Sequence, residues 1–188
     1  MEMGMKAQEA LDRLMEGNRK FIQATTHQTD VSLPVREGLV KEGQHPFATV
    51  ISCSDSRVIP EHVFMCGLGD IFCVRTAGNT IGPGELASAL YGCEHLGTQL
   101  LMVMGHTGCG AVASAIESDD HGPLAPILGK VEQAIGDERD PYAATVANAR
   151  ASVRDLRENP ELSHLVGEGK LTILAAVFHT DSGEVELL

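Results

Sequence analysis

Apolar and polar residues follow two different periods along this chain. Over residues 7–22, Leu11, Leu14, Met15, Phe21 and Ile22 recur at helical spacing among charged positions, which predicts an amphipathic helix. The segment after it holds Pro34 and is expected to be a loop. Residues 47–52 form a β-branched apolar run, entered through Gly43 and Pro46 and left at Cys53, which suits a strand buried on both faces. Residues 71–75 and 100–104 read the same way. Residues 83–96 open with Pro83, carry Glu85 early and stop at Gly97, the start and stop signals of a helix. Helical patterns also cover 124–135 and 141–156. Residues 171–178 predict another buried strand, after which Gly183 turns the chain into a short edge strand at 185–188.

Strands that alternate with helices imply parallel pairing, because a tight turn cannot return the chain to the same end of a sheet. The expected fold is therefore α/β, with a central, mostly parallel sheet flanked by helices and a C-terminal edge strand. No repeat, low-complexity tract or linker interrupts the pattern, so residues 1–188 are expected to form one domain, with residues 1–30 as an N-terminal helical arm.

Composition narrows the function. Asp and Glu outnumber Lys and Arg by 26 to 14, a formal charge of -12, which opposes a grip on phosphate backbones or anionic lipid. Neither nucleic acid nor a membrane is an expected partner. The first ten residues lack the apolar run of a secretory signal, and no stretch is long enough to span a bilayer, so a cytoplasmic location is expected. Five cysteines, an odd number, fit a reduced compartment better than a disulfide framework.

Two clusters, Cys53-Ser54-Asp55-Ser56-Arg57 and His106-Thr107-Gly108-Cys109-Gly110, each follow a predicted buried strand. In an open parallel sheet such loops gather at the carboxyl edge, where ligands bind. Two thiols and an imidazole meeting there make a borderline-soft set suited to zinc, and three protein ligands leave a fourth position for water. Cys66, Cys73 and Cys93 lack metal-like spacing and are expected to be core thiols. The bland reading of Asp55 and Arg57 is a helix cap and a surface ion pair, since Asp at a loop-to-helix junction is normal capping chemistry.

Together with Arg75-Thr76-Ala77-Gly78-Asn79, these runs closely resemble the β-class carbonic anhydrases, from about Ala10 through Ile116 and more loosely to the final strand. The resemblance implies one Zn2+ per subunit on Cys53, His106 and Cys109, with Asp55 and Arg57 as a dyad beside it. Asp55 would also be the fourth ligand in a closed state. The implied reaction is reversible hydration of carbon dioxide to bicarbonate and a proton by zinc-bound hydroxide. Gln44, Phe72 and Tyr91 match the plant-type branch, where such residues line the substrate pocket from the neighbouring subunit, and Gly110 joins them. A homodimer follows, or a tetramer or larger assembly, with the N-terminal helix wrapped on the partner. The chain has no Trp, which argues against the inhibitory bicarbonate site of another branch. The same motifs fit hydrolysis of carbon disulfide or carbonyl sulfide, and a non-catalytic zinc protein capped by Asp55 is the alternative outside enzymes. A thiol redox role lacks its Cys-x-x-Cys. No histidine among His27, His45, His62, His95, His121, His164 and His179 is singled out as a proton shuttle.

Overall fold

In the computed structural model, which describes residues 4–27, 29–118 and 121–188, strands β1 (Ala48–Cys53), β2 (Ile71–Thr76), β3 (Leu100–His106), β4 (Thr172–Phe178) and β5 (Val185–Leu187) form one sheet. Residues 1–3 and 28 of the expected arm lie outside the described residues. The strand order is β2-β1-β3-β4-β5; the first four run parallel, and β5 returns antiparallel to β4. This is the expected α/β architecture, with the short C-terminal strand at an edge.

Alternation along β3 divides the core. Leu100, Met102 and Met104 face one side, under helices α1 (Ala7–Gln23) and α3 (Pro60–Val63), with Ala10, Leu14 and Phe64. Leu101 and Val103 face the other, under α4 (Pro83–Leu90), α7 (Pro141–Glu158) and α8 (Pro160–Gly167), with Ala149, Leu156 and Leu162. Helices α5 (Gly110–Glu117) and α6 (Ala125–Ile135) pack at the carboxyl edge through Val112, Ala115, Val131 and Ile135. Among the described residues no helix is long and apolar enough to cross a membrane.

Three expectations change. Pro34 lies in a helix, α2 (Leu33–Glu42), not a loop. Proline is tolerated in a first helical turn, and α2 buries none of its residues, so no apolar stripe marked it. β2 is a strand but not one buried on both faces: only Ile71 is fully buried, because β2 is the sheet edge. The helix starting at Pro83 keeps α geometry only to Leu90, then widens into a π turn over Tyr91–His95, where Leu96 N–H donates to the Tyr91 carbonyl at 3.0 Å. Helix α8, absent from the sequence reading, is capped by Asn159, whose Oδ1 accepts from the N–H groups of Glu161 and Leu162.

Candidate metal centre

Cys53 is the last residue of β1 and His106 the last of β3, and the two strands are parallel neighbours, so both side chains emerge at one carboxyl edge. Gly108, at φ 68°, lets the chain reverse out of β3 and brings Cys109 to the start of α5. Cys53, His106 and Cys109 are all buried, and their ligand atoms lie within 4.8 Å of one another. Among the described residues this is the one such cluster of three His, Cys or acidic side chains.

The donors suit a metal ion. His106 Nδ1 lies 3.0 Å from the Thr107 carbonyl, which can only accept, so the ring proton sits on Nδ1. Nε2 is buried and without any hydrogen-bond partner. An orphaned imidazole nitrogen facing two thiols is costly unless a cation satisfies it. The Cys53 thiol is drawn well below the ordinary thiol range by a hydrogen bond from Cys109, helped by His106 and by the N–H groups of Asp55 and Gly78, while burial opposes. Those N–H groups lie 3.4 and 3.3 Å from the sulfur. Cys109 is pushed up by its hydrogen bond to Cys53 and by burial. Both sulfurs bind a metal as thiolates, so an incoming ion would displace the proton that lies between them.

Gly78 has its own constraint. At φ 66°, it aims its N–H at Cys53, and a Cβ there would stand 3.1 Å from both Ala111 and Val131.

Asp55 and Arg57 form a bidentate pair: Arg57 Nε donates to Oδ1 at 2.9 Å and an η nitrogen donates to Oδ2 at 2.7 Å. The guanidinium holds the Asp55 carboxyl well below the usual carboxylate range, and Asp55 in turn raises Arg57. Oδ2 is 3.9 Å from His106 Nε2, beside the centre but turned toward Arg57. Asp55 caps no helix, since α3 begins only at Pro60. The same η nitrogen also reaches the Gly108 carbonyl at 3.0 Å, tying the two ligand loops together. Arg75, whose role the sequence left open, braces the first loop by donating to the carbonyls of Cys53 at 3.2 Å and Asp55 at 2.9 Å.

Gly110 opens α5 next to Cys109. Gln44, Phe72 and Tyr91 are not brought to the centre of their own chain. Gln44 is exposed before β1, and Phe72 pairs in register with Thr49, near the amino end of β1 and four residues from Cys53. Its ring lies 5.9 Å from that of Tyr91, which is 46% exposed. Cys66, Cys73 and Cys93 stay apart as free thiols, all three raised by burial.

The carbonic anhydrase family model matches residues 48–185, which include every residue of this centre. The chain belongs to the carbonic anhydrase family. A carbonic anhydrase of Mycolicibacterium smegmatis is 31% identical over 186 residues, covering 93% of this chain and 89% of that relative. Carbonic anhydrase 2 of Mycobacterium tuberculosis is 41% identical over 111 residues, 59% of this chain; the match spans only about half (53%) of that relative's length. The β-carbonic anhydrase CafA of Aspergillus fumigatus has the same fold, with a TM-score of 0.73 at 26% identity over 82% of this chain and 81% of that one. The likeness is to the β class of carbonic anhydrases.

Proposed function

We propose that this chain catalyses the reversible hydration of carbon dioxide to bicarbonate and a proton, with zinc held by Cys53, His106 and Cys109. The observation that carries the reading is the buried, unpartnered His106 Nε2 facing two thiols within 4.8 Å, in a chain of this family. Zinc, when bound, supplies the Lewis acidity that makes water nucleophilic near neutral pH. The protein's residues do the rest. Asp55, kept anionic by Arg57, accepts a hydrogen bond from the attacking water and fixes its lone pair toward carbon dioxide. Arg57 also restrains that carboxylate: its two bonds turn both oxygens toward the guanidinium, which favours turnover over a metal permanently capped by Asp55. The Gly78 and Asp55 N–H groups steady the Cys53 sulfur.

Gln44, Phe72 and Tyr91 serve the partner's centre in a homodimer. Four strand residues span about 13 Å, too far for Phe72 to reach its own Cys53. β2, which carries Phe72, is an unpaired sheet edge, the kind of surface that a second copy covers. Residues 1–30 lead into this assembly as an arm, although α1 itself is anchored on its own sheet by Ala10 and Leu14.

Stopped-flow carbon dioxide hydration from about pH 6.5 to 9, on protein of measured zinc content, tests the reading. A zinc-dependent rate that climbs with pH is expected. Fully loaded protein that hydrates no carbon dioxide at any pH overturns it.

A further inference from the structure

Beyond the zinc ligands and the dyad, we infer that Thr180, far along the chain, is a positioning residue for His106, acting through the carbonyl of Thr107. The inference rests on the zinc reading and concerns only what aims the imidazole. Thr107 O is the group that accepts the hydrogen bond from His106 Nδ1–H, so its direction sets the direction of Nε2. That carbonyl is not held by regular structure alone, because β3 ends at His106.

Three contacts hold Thr107 from the β4–β5 turn, one of them on the carbonyl itself. The Thr180 N–H donates to Thr107 Oγ1 at 2.9 Å, the two hydroxyls lie 3.0 Å apart, and the Thr180 hydroxyl donates to the Thr107 carbonyl at 3.3 Å. One proton arrangement satisfies all three: the Thr107 hydroxyl donates to Thr180 Oγ1, and the Thr180 hydroxyl donates to Thr107 O. The carbonyl then accepts on both lone pairs, from His106 and from Thr180, which fixes its plane. A backbone bond from Thr107 N–H to Phe178 O at 3.0 Å closes the clamp.

The turn that carries Thr180 is itself pinned. Asn18 of α1, buried to 2% exposure, donates to the carbonyls of Gly183 at 2.8 Å and Val63 at 3.2 Å, and accepts from Val185 N–H at 3.0 Å. Thr180 is therefore a rigid post and not a loose loop residue.

The test is chelator competition for zinc, read by the colour of the chelator–metal complex, on wild type, Thr180→Val, Thr180→Ser and Thr107→Val. Thr180→Val keeps the shape and the N–H but removes the hydroxyl. Outer-sphere partners of metal-bound histidines typically change affinity by about 10- to 100-fold, so Thr180→Val is expected to release zinc about tenfold more readily. Thr180→Ser, which restores the hydroxyl, should return to wild type, while Thr107→Val, which keeps the bond to the carbonyl and loses only the two contacts that orient the Thr180 hydroxyl, should release zinc less readily than Thr180→Val. The melting temperatures of the zinc-free forms separate positioning from folding: they should move far less than zinc affinity does. Wild-type affinity in Thr180→Val, or an equal loss in Thr180→Ser, overturns the positioning role while leaving the zinc site intact. Wild type that takes up no zinc overturns the site itself and the inference with it.

Discussion

Asp55 lies between two demands, an ion pair with Arg57 and a place beside the ligand atoms, and its chemistry depends on which neighbour holds it. Asp55→Asn keeps the shape and loses the charge. It is expected to retain zinc by elemental analysis and to lower kcat/KM for carbon dioxide hydration by about 10²-fold, the usual worth of a positioned proton acceptor. Arg57→Lys cannot form the two parallel bonds that the guanidinium makes at 2.9 and 2.7 Å. Its carboxylate is freed toward the metal position, and a crystal structure of the zinc-loaded variant should place Asp55 on the ion. An Asp55 still turned away from the ion, toward the substituted ammonium, would argue against this restraint. At this scale the sequence was a good guide to the three residues that meet at the candidate metal site. Cys53, His106 and Cys109 announced themselves by type and by following buried strands. Thr180 did not, because a threonine in a turn carries no signal until Thr107 is found beside it, 73 residues away in sequence.

At the scale of elements, legibility followed burial. The strands at 48–53 and 100–106 are fully buried runs and were read to within a residue or two, because an unbroken apolar run has few other uses. Helix α2 was missed because it buries nothing, and its exposed Leu33 and Val40 look like loop residues when no stripe organises them. Helix α1 was legible because its apolar face is real: Leu14 is fully buried against the sheet. Leu14→Ala should therefore cost about 2–5 kcal/mol, seen as a fall in the denaturation midpoint in urea. Asn18→Ala removes the partner of two carbonyls and one N–H in the interior. Its loss of stability should be comparable although fewer carbon atoms are deleted, because each stranded group costs about 1–3 kcal/mol. Equal stability of this variant and wild type would show that water replaces the amide.

The whole molecule raises the question of where one active site ends and its partner's begins. If Phe72 and Tyr91 serve the neighbouring centre, a chain with Cys53→Ser and a chain with Phe72→Ala and Tyr91→Ala are each defective alone but complement each other. A mixed dimer then contains one site with an intact metal centre and an intact pocket. Co-expression of the two should restore about one quarter of wild-type activity by random pairing in a two-fold dimer. No recovery would place the pocket and the metal on the same chain. Zinc removal should also act on the whole fold, since Cys53 ends β1 and Cys109 follows β3: chelation should lower the melting temperature, and zinc should restore it.

By itself the sequence determined the succession of the five strands and of helices α1, α4, α6 and α7, the parallel sense of the sheet and the chemical types that meet at the candidate metal site, because hydrophobic period and donor type are local properties of the chain. Only the tertiary structure decided that β2 is an edge, that Arg57 occupies both oxygens of Asp55, that Gly78 and Arg75 brace the first ligand loop, and that Thr180 stands behind His106. These are contacts between segments distant in sequence. Their geometry depends on how the sheet is ordered and how its ends are packed, and no single segment carries that information.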